Sequence, residues 1–303
     1  MREIVMINRF KVLFSLAIYI LFAGSALAAD NVFMWKAVSP KGEIHLLGSI
    51  HMGDDSFYPL DSAIEKAFDQ SSALAVEVDI TDQDQAALQQ LMMQKGFYAP
   101  GDSLDKHISV EAQRAVTSYL GGDDLMLQMI GRMKPWAVYM ILEDLGLKKL
   151  GLDSSKGIDQ HFLNKAHENG KTVAELESME FQMDLISSFD DRLQESLIMT
   201  AVTDIEKRRD DVASIVYAWK SGNAPLMESL VFNSLKKKPE LAPVYEKMFS
   251  HRNKAMASNI VRMAASGDKL FVVVGAGHLV GEKGVVRLLE EKGFTVTQAA
   301  SAR

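Results

Sequence analysis

The 303-residue chain contains no cysteine. That excludes a disulfide, a thiolate metal site, a cysteine nucleophile and a lipid-bearing amino-terminal cysteine. An excess of positive charge is also missing: the formal net charge is −7. Bulk charge therefore gives the chain no grip on nucleic acid or an anionic membrane. There is no Walker loop and no Gly-x-Ser-x-Gly elbow. The stretch Gly275-Ala276-Gly277-His278-Leu279-Val280-Gly281 only approximates a dinucleotide fingerprint, because its third glycine comes one residue late and a histidine fills the turn. No low-complexity segment is present.

Long apolar runs are scarce as well, with one exception near the start. Arg2, Arg9 and Lys11 precede an apolar stretch from Val12 to Phe22, and Gly24-Ser25 leads into Ala26-Leu27-Ala28. A basic start, an apolar middle and a small-residue cleavage site read as a secretory signal peptide over residues 1–28, cut after Ala28. A retained membrane anchor is the rival reading. The leader carries three basic residues against Glu3, a net +2, so its removal takes −7 to −9. A cysteine-free exported chain fits the bacterial periplasm or secretion, with no stable membrane insertion after cleavage. Residues 29–303 are long enough for one domain.

Two copies of one short device organise that remainder. The first is Ile44-His45-Leu46-Leu47-Gly48-Ser49-Ile50-His51 and the second is Leu270-Phe271-Val272-Val273-Val274-Gly275-Ala276-Gly277-His278. In each an apolar β-type run breaks at glycine, and a histidine sits three residues beyond. Alternation over Asn31–Pro40, the turn Ser39-Pro40-Lys41-Gly42 and the return to Leu47 predict an opening β-hairpin. A helix after Pro59-Leu60-Asp61 and a strand over 72–79 follow, which suggests a parallel strand pair. Residues 81–155 and 179–265 read as largely helical, with one long helix after Asp190. A strand over 171–176 lies between those stretches, and a helix and a last strand follow the second device. The predicted class is α/β, or α+β, with two related small α/β halves forming a central sheet and a large helical insertion.

Chemistry concentrates at strand ends. His51 and His278 carry imidazoles suited to zinc, manganese, iron or cobalt; alternatively each satisfies a loop hydrogen bond. Glu77 interrupts the apolar run Leu74-Ala75-Val76, where a carboxylate is costly unless it is paired or bound to a cation. The other reading puts it on the solvent face of an edge strand. Two histidines and one carboxylate can hold a catalytic metal with a position left for water. Glu177 repeats the pattern as a base or a ligand's partner, or as a helix cap. Arg252 and Asn253 offer donors to an oxyanion, or form a solvated helix start. Asp159 sits in a helix first turn, where a carboxylate is favourable without any catalytic purpose.

Taken together, Leu47-Gly48-Ser49-Ile50-His51-Met52, Val76-Glu77-Val78-Asp79, Gly157-Ile158-Asp159, Leu176-Glu177-Ser178 with Gln182, Arg252-Asn253 with Met256, and Val274-Gly275-Ala276-Gly277-His278 resemble the TraB/PrgY/GumN family, which includes the TIKI proteases. The resemblance spans essentially all of residues 29–303. It implies two related α/β halves and a metal-dependent hydrolase, with His51, Glu77 and His278 as metal ligands. The expected protein is an exported, metal-dependent peptidase-type hydrolase using manganese, cobalt or zinc. Glu177 would be the base, Arg252 and Asn253 the oxyanion donors, and a peptide or small molecule the substrate. The alternative is a non-catalytic periplasmic protein binding a small ligand, a peptide or haem in the same cleft.

Overall fold

The computed structural model describes residues 31–40, 42–202, 205–237, 242–265, 267 and 269–302. The expected leader, residues 1–28, lies outside them, as do Lys41 of the first turn and Asp268 before the second device. Strands β1 (Asn31–Ser39) and β2 (Gly42–Ser49) form the expected hairpin, with Met34 opposite Leu47. Helix α1 (Ser62–Asp69) follows, and Asp61 caps it by accepting the Ala63 N–H at 2.8 Å. Its Ile64, Ala67 and Phe68 are buried at helical spacing. Burying a side chain the size of Phe68 contributes about 2–3 kcal/mol. Strand β3 is Ala73–Val76, shorter than the sequence suggests, so Glu77 lies just past its end.

Helices α2 (Asp82–Lys95), α3 (Val110–Tyr119), α4 (Asp124–Ile130) and α5 (Pro135–Lys149) make up the first helical stretch. Helix α6 (Ile158–Glu168) leads to β4 (Thr172–Glu175), followed by α7 (Met179–Ser187) and α8 (Asp191–Ala201). The expected single long helix after Asp190 is therefore two, α8 and α9 (Ile205–Lys220). Helices α10 (Ala224–Lys237) and α11 (Ala242–Tyr245), a π-type turn over Glu246–His251 and α12 (Arg252–Ala264) complete the second stretch. The chain ends with β5 (Lys269–Gly275), the short α13 (Ala276–Leu279), α14 (Val285–Glu291) and β6 (Thr295–Ala300).

This is a mixed α+β fold around one six-stranded sheet of order β4-β3-β5-β2-β1-β6. Strands β2 and β3 do not pair with each other; each runs parallel to β5, which lies between them. All of Leu270–Val274 is buried, as a strand covered on both faces requires. A large apolar cluster covers the sheet, and a second, around Trp136 and Leu142, packs the helices α3, α4, α5 and α8. Gln194 of α8 ties that cluster together by accepting the Trp136 backbone N–H at 2.9 Å. His45 of β2 is also buried. Among the described residues no helix is long and apolar enough to cross a membrane.

Candidate ligand cleft at the strand ends

The strand order decides where the chemistry meets. Because β3, β5 and β2 are parallel neighbours, their carboxyl ends open on one edge, where α/β proteins place ligands. Ser49 pairs in register with Gly275, and Val76 with Val273, so Glu77 emerges level with the end of β5. A Cβ on Gly275 would lie 3.3 Å from Glu77 Oε1, 3.5 Å from His278 Cδ2 and 3.5 Å from His51 Nε2. Both predicted histidines and the glutamate thus converge on one glycine. Gly48 has its own reason: a Cβ there would meet Phe33 Cδ1 at 2.5 Å.

Glu77 is bonded on both oxygens. Oε1 accepts the Gly275 backbone N–H at 2.7 Å, and Oε2 accepts from Arg252 Nη2 at 2.6 Å. Arg252 also forks onto Glu177, with Nε 2.9 Å from Oε1 and Nη2 2.7 Å from Oε2, while its Nη1 donates to the Met248 carbonyl at 3.2 Å. Gln182 Nε2 bridges the two carboxylates at 3.2 and 3.0 Å. Asn253 accepts from His278 Nδ1 at 2.6 Å and donates to the Lys283 carbonyl at 2.8 Å. That arrangement puts the His278 proton on Nδ1 and leaves Nε2 as an acceptor, 3.7 Å from Glu77 Oε1. Phe249, from the π-type turn, packs on the His278 ring at 5.2 Å.

Sequence reasoning passed over two residues here. Asp159, read as a helix first-turn carboxylate, places Oδ1 3.1 Å from His51 Nδ1. Beyond this ion pair, Asp159 Oδ1 has no hydrogen-bond partner among the described residues. Ser49, inside the first device, is likewise buried with an unpartnered hydroxyl. The only sequence signal for Asp159 was its place in Gly157-Ile158-Asp159, and Ser49 had none beyond its position in the motif.

Charge follows from these contacts. Burial opposes ionisation of Glu77, but His278, His51, Arg252 and the Gly275 N–H together outweigh it and bring the carboxyl down to about 2. Burial pushes the His278 imidazole down to about 4, and Glu77 offsets this only in part, so the ring is neutral at neutral pH. Asp159 raises His51 to about 9 against the opposing effect of burial. The His51 side chain is 60% exposed, so water screens that contact. Burial would lower Arg252, but its bonds to Glu177 and Glu77 raise it instead.

The expectation of a metal is overturned. Among the described residues no group of three or more His, Cys, Asp or Glu side chains is arranged to hold a metal ion. The contacts supply the physical reason. Glu77 already accepts on both oxygens, and the Arg252 guanidinium is a resident cation between Glu77 and Glu177. His51, Glu77 and His278 are therefore not a ligand set for manganese, cobalt or zinc. The metal-dependent hydrolase and metalloprotease readings fall with that ligand set.

What remains is a cleft of about 200 Å³. Its polar lining residues are Ser49, His51, Glu77, Asp159 and Gln182, and its aliphatic ones Val76, Val78, Ile80, Val273 and Val274. The chain belongs to the TraB/PrgY/gumN family, whose profile matches residues 33–298. It is similar to the uncharacterised protein YbaP of Escherichia coli K12, 24% identical over 263 residues that cover 86% of this chain and 94% of that one. It is also similar to an uncharacterised protein of Treponema pallidum, 21% identical over 281 residues, covering 88% and 83% of the two chains. No solved structure matches it.

Proposed function

We propose that this is an exported, single-domain protein that binds a small ligand, without catalysis, in the cleft at the ends of β2, β3 and β5. One observation carries the reading. A buried polar atom lining the cleft, Ser49 Oγ, has no hydrogen-bond partner among the described residues, and Asp159 Oδ1 beside it has only its ion pair with His51. Leaving such an atom unpaired costs about 1–3 kcal/mol, which a ligand's polar groups would offset. The volume favours a small molecule over haem, since pockets for cofactor-sized ligands run to roughly 300–1,000 Å³. Glu177, Arg252 and Asn253 hold Glu77 and His278 in place on this reading.

The leader-like start supports export to the periplasm or beyond. The two glycine–histidine devices support a reading of two related halves meeting at β2 and β5. The test is a thermal-shift and calorimetric screen of the chain from Ala29 onward against small amines, acids, alcohols and sugars. Saturable binding of one class, weakened by Ser49→Ala and Asp159→Asn, is expected. No binding by any class overturns the reading.

A further inference from the structure

The cleft's formal charge does not balance. Glu77, Glu177 and Asp159 contribute three carboxylates, and Arg252 supplies one fixed positive charge. Among the described groups that pair there, the excess is one negative charge with His51 protonated and two with it neutral. Uncompensated charge in a buried setting is costly, so the site favours a cation. The polar atoms still open are acceptors too. Asp159 Oδ1 faces only His51 Nδ1 at 3.1 Å, Ser49 Oγ is unpaired among the described residues, and His278 directs the lone pair of Nε2 toward Glu77. The rest of the lining is aliphatic and includes Val76, Val78 and Ile80.

A compact cation with several donors and a short apolar body fits that division. An ammonium group has three donors and no acceptor. A guanidinium is already present as Arg252, bound to Glu77 and Glu177. Resting on the binding reading above, we propose that the ligand is a primary amine with a short aliphatic body, its ammonium held by Asp159 and Ser49 and its body against Val76, Val78 and Ile80. A free amine and the amino terminus of a peptide share this chemistry.

The test uses isobutylamine, valinamide, Val-Gly-Gly, N-acetyl-valinamide, isobutanol and isobutyrate, each titrated calorimetrically into the chain from Ala29 onward. Binding by isobutylamine and valinamide is expected, with at least a tenfold loss on acetylation and for isobutanol. Asp159→Asn should weaken amine binding at least tenfold while the unliganded melting temperature stays close to wild type. Ser49→Ala provides a second reading if Asp159→Asn does not fold. Binding of Val-Gly-Gly at the strength of valinamide points to peptide termini, and its exclusion points to free amines. If isobutanol or isobutyrate binds as tightly as isobutylamine, the amine assignment falls and the binding reading stands. If no probe binds here or in the wider screen, both fall.

Discussion

The backbone N–H of Glu177 donates to the backbone carbonyl of Glu77 at 3.0 Å, one residue past the end of β3 and two past the end of β4. That bond sets two carboxylates side by side, and Arg252 reaches both from the start of α12. The charge that compensates these glutamates thus belongs to the chain itself.

Glu77→Gln is expected to lower stability by about 2 kcal/mol, because a hydrogen bond to a charged group contributes roughly 1.5–3 kcal/mol. Chemical denaturation at pH 7 measures this. The pH dependence has a definite sign. The folded Glu77 carboxyl lies at about 2 against an ordinary value of 4.5, so its contribution is present above 4.5 and is lost as pH falls toward 2. Wild type should therefore lose stability more steeply than Glu77→Gln between pH 5 and about 2. Parallel slopes would count against the buried ion pair.

Gly275→Ala places a methyl group where Glu77, His278 and His51 converge. Overpacking of this kind costs about 1–3 kcal/mol. The variant is expected to fold, shown by an unchanged circular dichroism spectrum, and to lose ligand binding. Retained affinity would show that the ligand does not use this convergence.

Trp219 donates its indole N–H to the Gly48 carbonyl at 2.6 Å and packs against Phe57 with ring centres 5.4 Å apart. Trp219→Phe keeps most of the packing and leaves that carbonyl without its donor. A loss of about 1–3 kcal/mol is expected, read as a lower urea midpoint. Because Gly48 begins the first histidine turn, ligand affinity should fall as well.

Away from the cleft, His107 joins two segments of the helical stretch. Its Nδ1 lies 3.1 Å from Asp191 and its Nε2 3.0 Å from Asp102, with the Tyr98 ring stacked at 4.4 Å. The bonds to Asp191 and Asp102 raise the imidazole above its ordinary 6.5. Its stabilising contribution is full below 6.5 and is lost as pH rises through the raised value. An NMR titration should show a midpoint above 6.5 that moves down in Asp191→Asn; an unmoved midpoint would refute the pairing.

Local pattern in the sequence was enough for the hairpin, the buried strand β5, most helix positions and the two glycine–histidine turns. Each depends on residues a few positions apart, whose periodicity fixes which face is apolar. The same locality explains the misreadings. An apolar stripe continuing past Ala201 looks like one helix, and a strand-helix-strand order looks like a directly paired β2 and β3.

Three of the site residues, His51, Glu77 and His278, were legible because each breaks an apolar context. Asp159 and Ser49 were not, since a polar residue in a helix first turn or at a strand end is locally ordinary. Only tertiary structure decided that β5 inserts between β2 and β3, bringing the Gly275 N–H to a carboxylate 198 residues away. Tertiary structure likewise decided that Arg252 compensates Glu77 and Glu177, so that Glu77 binds a guanidinium where a metal was expected. Sequence states which side chains are costly to bury; which partner offsets that cost depends on how distant segments pack.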